Sequence, residues 1–248
     1  MKDVDFGNFY VRLMGRSVVD MGGCQSNSSS DEEDVKVLKA NHSTFKVKNN
    51  SLHMVPSAAV KPYLKDHYLS KRITDVNLLS LSALPHGLDQ QEWIATNTVS
   101  FFHNTTIILG ALSDFCSTTT CPANKGPRNI LYEWTDDQGK KMKCLAPQYI
   151  DYAMCYIQEL LTDERVFPSK SGLSFPPGFT FLIQKVFVML FRTLAHMFSA
   201  HYQDSVTMEL HPHLNTLMLH FITFSHTFKL LDPAETAPID DLIAVLTR

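Results

Sequence analysis

Two pairs of side chains in this sequence have the types and spacing for metal chemistry. Cys116 and Cys121 lie in Phe-Cys-Ser-Thr-Thr-Thr-Cys-Pro, and His196 and His201 lie in Ala-His-Met-Phe-Ser-Ala-His-Tyr. Two thiolates and two neutral imidazoles make a closed tetrahedral shell of the kind zinc prefers. Four protein ligands leave no open position, so such a site braces a fold and does not activate water. Spacing alone leaves alternatives open, because the pairs are far apart and the spacing is looser than a zinc finger's. The chain has eleven histidines, so His211 with His213, or His220 with His226, are rival pairs, and Cys144 is a rival thiol. A buried cysteine is also commonly an inert small hydrophobe. Geometry adds a condition. Residues 196 and 201 on one straight helix point about 140° apart, so the helix must end or loosen between them, and Ser199 and Ala200 do not force that.

Other catalytic constellations are missing from the sequence. It has no glycine-rich phosphate loop, no GxSxG elbow and no HExxH helix. Asp240 and Asp241 are adjacent on a predicted helix and do not face each other. Cys155 sits in an apolar helical context, where an inert thiol is expected. A zinc hydrolase would need water to replace one of the four ligands, and the ligand set is the structural type. The expectation is a protein that is not an enzyme.

The chain has 248 residues, 44% of them hydrophobic, a net charge of -3 and a pI near 6.4. That suits one sizeable domain with additional sequence. Without a basic excess, neither nucleic acid nor an anionic membrane is the expected partner. Five cysteines without a disulfide-like framework indicate a reducing, cytoplasmic or nuclear setting. The start, with Asp3, Asp5, Arg12 and Arg16, lacks the apolar run of a signal peptide. The most apolar stretch, 179–191, is interrupted by Gln184 and Lys185, so no transmembrane span is expected. Glycosylation-like triplets at Asn27, Asn41, Asn49 and Asn104 are coincidences in a cytosolic chain.

The elements follow from pattern. Residues 1–60 read as a disordered extension with the acidic run Ser-Asn-Ser-Ser-Ser-Asp-Glu-Glu-Asp at 26–34. Met21-Gly22-Gly23-Cys24 fits a lipidation pattern, and so membrane association, only if translation also starts at Met21. The domain is 61–248: an extended arm over 61–88, stopped by Pro85-His86-Gly87, and a bundle over 89–248. Asp89 is an N-cap with Glu92 at the third helical position, opening a helix over 90–113. Ile94, Phe101 and Ile108 form its core stripe; Trp93, Ser100 and Ile107 form a second stripe that either meets a partner or lies under the arm. A hairpin spans 130–145 around Asp136-Asp137-Gln138-Gly139. Helices follow over 147–161, 179–202, 204–210, 212–228 and 234–246, the second apolar nearly all round, as a buried central helix must be. The fold class is mainly all-α: a helical bundle with one small β-hairpin.

Specific stretches carry a family resemblance. They are Glu92-Trp93-Ile94-Ala95-Thr96-Asn97-Thr98-Val99-Ser100-Phe101-Phe102, Asp114-Phe115-Cys116, Ala146-Pro147-Gln148-Tyr149-Ile150-Asp151-Tyr152, Val166-Phe167-Pro168-Ser169-Lys170, Leu194-Ala195-His196 and His213-Leu214-Asn215-Thr216. In this order, over about 71–246, the chain resembles the Mob family of kinase co-activators. With Ser100, Lys71-Arg72-Ile73-Thr74-Asp75 and Leu230 to Ala237, it is most similar to the second, NDR-binding Mob class. The resemblance implies one structural zinc on Cys116, Cys121, His196 and His201. It further implies a non-catalytic adaptor that binds the N-terminal helical region of an NDR-type protein kinase, as the monomeric subunit of a heterodimer. Glu92, Trp93 and His220 fall at kinase-facing positions, with Ile73, Leu78, Ile107 and Met208 at others. Leu88 departs from the acidic residue the family carries there. A phocein-like subunit of a striatin phosphatase scaffold is the alternative within the family. The basic cluster that lets some members hold phosphopeptides is reduced to Arg192 within Val188-Met189-Leu190-Phe191-Arg192.

Overall fold

The computed structural model describes residues 61–136, 138–169 and 173–247. The extension and the Met21 pattern lie outside the described residues. The domain is mainly helical with one two-stranded antiparallel sheet, as the sequence predicts.

The arm is less extended than its apolar leucines suggest. A 3-10 turn at Pro62–Leu64 leads into α1 (Asp66–Leu69), and α2 covers Leu78–Ser82. The Asn77 carboxamide oxygen starts α2 by accepting from the amides of Leu79 and Ser80 at 3.0 and 3.1 Å. Ser82 closes it by donating to the Leu78 carbonyl at 2.8 Å. Elements this short are fixed by caps and contacts, because one turn is below the length that helix propensity can sustain.

Helix α3 (Gln90–Ala111) begins where expected: Asp89 Oδ1 accepts from Gln91 N at 2.8 Å and Glu92 N at 3.2 Å. Ile94, Phe101 and Ile108 are all buried. Two polar residues on the same buried side are satisfied within the helix. Thr98 donates to the Ile94 carbonyl at 2.7 Å, and Asn97 to that of Trp93 at 2.8 Å.

The hairpin pairs β1 (Tyr132–Thr135) with β2 (Lys141–Cys144) in the register Tyr132↔Cys144 and Trp134↔Met142. In its turn, Asp136 Oδ1 accepts from the amides of Gln138 and Lys140, and Gly139 supplies the positive φ of 78°. Helix α4 (Ala146–Thr162) follows, with Pro147 in its first turn.

Helix α5 (Phe179–Ala200) is the centre of the bundle, entered through Gly178 at φ 84°. By length and composition it is the one helix among the described residues that could cross a membrane, and 67% of the relevant window is buried inside the fold. It packs through Phe187, edge-on to Phe101 of α3 and stacked at 4.9 Å on Phe221. Phe221 belongs to α7 (His211–Phe228), which α6 (Tyr202–Thr207) precedes. The expected helix over 234–246 is two pieces, α8 (Pro233–Thr236) and α9 (Asp240–Leu246), joined by a 3-10 turn at Ala237–Ile239. Pro238 lacks the amide that a continuous helix would need there.

Asn215 of α7 ties the arm to the bundle. Its Nδ2 donates to the carbonyls of Tyr68 at 2.9 Å and Lys71 at 3.1 Å, while its Oδ1 accepts from the Tyr202 hydroxyl at 3.1 Å. One residue on, Thr216 Oγ1 accepts from Ile73 N at 3.1 Å. Asn215→Ala should therefore strand two carbonyls and a buried hydroxyl, at a cost of about 2–3 kcal/mol. Chemical denaturation measures the cost, and limited proteolysis should show cleavage between Tyr68 and Ile73 first.

Candidate metal centre and partner face

The ligand-bearing segments come from opposite ends of the domain's sequence. Cys116 and Cys121 flank the turn that follows α3, a turn closed by the Cys121 amide donating to the Ser117 carbonyl at 3.0 Å. Hydroxyls of Ser117, Thr119 and Thr120 bond to one another and to amides of the same turn. His196 lies in the last turns of α5. The helix stops at Ala200, and His201 is a non-helical cap at φ -122°, ψ 13°. That break meets the geometric condition set by five-residue spacing, and the two imidazoles stand 5.2 Å apart at 71°.

The four donor atoms lie within 4.8 Å of one another, so Cys116, Cys121, His196 and His201 form a group that can hold a metal ion. Cys121 Sγ is 3.4 Å from Nε2 of both histidines. His196 Nδ1 is 3.1 Å from the Lys125 carbonyl oxygen, and His201 Nδ1 is 3.1 Å from Asp204 Oδ2. A carbonyl and a carboxylate can only accept, so both rings carry hydrogen on Nδ1 and turn the Nε2 lone pair inward. His201 and His196 are fully buried, Cys121 nearly so, and Cys116 sits half-exposed at the rim.

Electrostatics agree with a cation at this point. Burial, then the neighbouring Cys121, pushes the Cys116 thiol up to about 12. Two thiolates this close and this desolvated are costly unless a metal's positive charge faces them. Burial, then His201, lowers His196 to about 4, which leaves the neutral imidazole that metal ligation needs. The rival sets do not assemble: Cys144, His211, His213, His220 and His226 lie outside the cluster.

The residues that the family resemblance puts at kinase-facing positions divide by burial. Glu92 and Met208 are exposed, Ile73 and Ile107 are half-buried, and Leu78, Trp93 and His220 are buried. Trp93 is thus not presented to solvent. Its Nε1 donates to the Ser82 carbonyl of α2 at 3.3 Å, so the arm covers it. His220 packs on Phe101 at 4.9 Å. The arm meets α3 where Trp93 donates to Ser82 and meets α7 where the Ile73 amide donates to Thr216.

Arg192 is held internally. Its Nε and Nη2 donate to both carboxylate oxygens of Glu235 at 3.0–3.2 Å, and Nη1 donates to the Tyr149 hydroxyl at 3.2 Å. The guanidinium also lies over the rings of Tyr132 and Tyr149. Beside it is a groove of about 300 Å³ whose walls include Ile130, Leu131, Phe191 and Pro238. Sequence reasoning missed the Lys125 carbonyl, Asp204, Tyr149 and Glu235. Asp204 alone has a local signal, a carboxylate three residues after a ligand histidine at a helix start.

Comparison with known proteins identifies the lineage. The Mob1/phocein family profile matches residues 70–239. The human protein named MOB kinase activator 2 is 46% identical over 186 residues, covering 75% of this chain and 78% of its own. The fission yeast maintenance of ploidy protein mob2 is 33% identical over 227 residues, covering 90% and 93%. MOB kinase activator-like 1B of Arabidopsis thaliana is 37% identical over 208 residues, covering 83% and 94%.

Proposed function

The chain belongs to the Mob1/phocein family, within its Mob2-like class, and from that premise we propose that it is a non-catalytic adaptor of NDR-type protein kinases. It binds the kinase's N-terminal regulatory region and modulates its activity in the cytoplasm or nucleus. The observation that carries the reading is the 46% identity to a protein named as a kinase activator. The arm, α3 and α7 supply the partner face, with Glu92 and Met208 at its exposed positions and Ile73 and Ile107 beside them. Trp93 and Leu78 act by seating the arm, and His220 by packing on Phe101 of α3, since all three are buried in the free chain.

The metal in this reading is one structural zinc. A tetrahedral zinc with Zn–S near 2.3 Å and Zn–N near 2.0–2.1 Å sets sulfur and nitrogen about 3.6 Å apart. The 3.4 Å separations of Cys121 from both histidines fit that shell. Soft sulfur with imidazole is also the donor set that favours zinc over oxygen-seeking cations. Its part is to clamp the turn after α3 to the end of α5.

Co-purification from cytosol followed by mass spectrometry tests the kinase reading. An NDR-type kinase should be the dominant partner. Recovery of a striatin-type phosphatase scaffold in its place would transfer the chain to the phocein-like role.

Phosphopeptide docking beside Arg192 should be weak or absent. A surface phosphate generally needs several charge-assisted contacts. Here Met189 is buried and Arg192 is already bidentate to Glu235. Fluorescence anisotropy with a phosphothreonine peptide should show no saturation at micromolar protein. Tight binding that disappears on dephosphorylation and on Arg192→Ala would contradict the prediction.

A further inference from the structure

We propose that Cys116 and Cys121 are a peroxide-sensitive pair whose closure into a disulfide releases the metal and loosens the groove wall between Pro127 and Tyr132. The inference rests on the zinc reading above. Three observations carry it. Both sulfurs belong to one cluster with donor atoms within 4.8 Å, on a single short turn, so they can meet without moving a helix. Cys116 is half-exposed whereas the other three ligands are buried, which gives a small oxidant one point of entry. The third observation is the path from Cys121 to the groove.

That path is one continuous segment. The Asn124 carbonyl accepts from the Ala146 amide at 2.9 Å, the Lys125 carbonyl faces His196 Nδ1, and Pro127, Ile130, Leu131 and Tyr132 line the groove beside Arg192. Asn124, Arg128 and Asn129 hold left-handed φ values of 48°, 55° and 61°. Such conformations persist only where the surroundings impose them. Gly126 is part of the constraint, because a Cβ there would fall 2.5 Å from the Tyr132 ring. Cys121 anchors the start of this segment, and Tyr132, donating to the Arg192 carbonyl at 3.2 Å, anchors its end. Removing the first anchor lets the strained residues between relax.

The chemistry balances with a hydroperoxide as oxidant. Cys116 thiolate attacks one oxygen of hydrogen peroxide; the O–O bond breaks, the sulfur becomes a sulfenic acid, and the departing hydroxide takes a proton as water. Cys121 thiolate then attacks the Cys116 sulfur, forming S–S and breaking S–OH, and this hydroxide also leaves as water. Two thiolates lose two electrons in total, and one peroxide is reduced to two waters with two protons consumed. The thiolate ligands are gone, and the remaining histidines are too few to retain zinc.

The test uses the full chain, with zinc content measured first. Hydrogen peroxide is titrated in while a colorimetric chelator reads released zinc, non-reduced peptide mapping reads linkages, and hydrogen exchange reads protection. The expected result is a Cys116–Cys121 disulfide appearing in step with zinc release. Exchange should rise over 121–135 and stay unchanged in α7, and dithiothreitol with zinc should reverse both. A Cys144→Ser chain should respond alike. Zinc retained while Cys144 oxidises, zinc lost without the 116–121 linkage, or protection lost evenly across the domain would each overturn the proposal. A chain without zinc before oxidant contradicts the zinc reading alone, and the disulfide map and exchange pattern still decide the thiol pair.

Discussion

His196→Ala, or Cys116→Ser, should remove about one zinc per chain and lower the melting temperature by about 10 °C or more. A structural zinc in small domains contributes on the order of 10 kcal/mol of folding free energy. A whole domain has only about 5–15 kcal/mol in hand. Even if the bundle keeps part of its stability, a loss of about 4 kcal/mol shifts the melting point of a domain this size by roughly 10 °C. The loss should be uneven. Phe101, Phe187 and Phe221 pack away from the metal turn and stay together, whereas the segment from Cys121 to the hairpin loses its tie to His196. Asp204→Ala is the milder control: it removes only the acceptor for His201 Nδ1–H and should weaken metal affinity by about 10–100-fold in a folded chain. Elemental analysis and calorimetry measure both effects. A His196→Ala chain with full zinc and an unchanged melting point would remove the cluster from the account.

Trp93→Ala should cost about 3–5 kcal/mol of stability, the range for deleting a buried large aromatic. The side chain is only 8% exposed and its indole N–H is bound to the Ser82 carbonyl. Its loss opens a cavity and unpins α2 together. Hydrogen exchange should therefore rise first between Leu78 and Ser82, with the metal turn protected and zinc retained. Kinase affinity should fall too, because the arm that carries Ile73 and Leu78 is no longer seated. Unchanged exchange across the arm would show that Trp93 does not hold it.

The reading of Trp93 shows where sequence stops. Its place on a second stripe of α3 follows from 3.6-residue periodicity, but whether that stripe meets solvent or the arm depends on contacts far along the chain. The core stripe of Ile94, Phe101 and Ile108 needed no such knowledge, since burial is what its period encodes. The ligand set had a similar limit. Spacing left Cys144 and other histidines as rivals, and it was the resemblance around Leu194-Ala195-His196 and Asp114-Phe115-Cys116 that singled out one set, which the fold then brings within 4.8 Å. No residue between His196 and His201 announces the helix end at Ala200. The arm's single-turn helices were hidden because propensity says little about four or five residues, although Asn77 was a legible cap. Glu235 had no local signal: its meaning is its pairing with Arg192, 43 residues earlier. Pro238 could have broken the predicted final helix on sight, because its ring excludes an uninterrupted run.

The central claim is that this chain grips a kinase's regulatory helices through the arm, α3 and α7. Glu92 is the cleanest point at which to challenge it, being exposed in the first turn of α3 and outside the core. Isothermal titration calorimetry of the zinc-loaded chain with the N-terminal segment of an NDR-type kinase should give saturable one-to-one binding. Glu92→Lys should weaken it by about tenfold or more, chiefly through slower association with a basic partner, while zinc content and melting temperature stay as they were. No heat of binding from the unaltered chain, or equal affinity for the Glu92→Lys chain, would contradict the account.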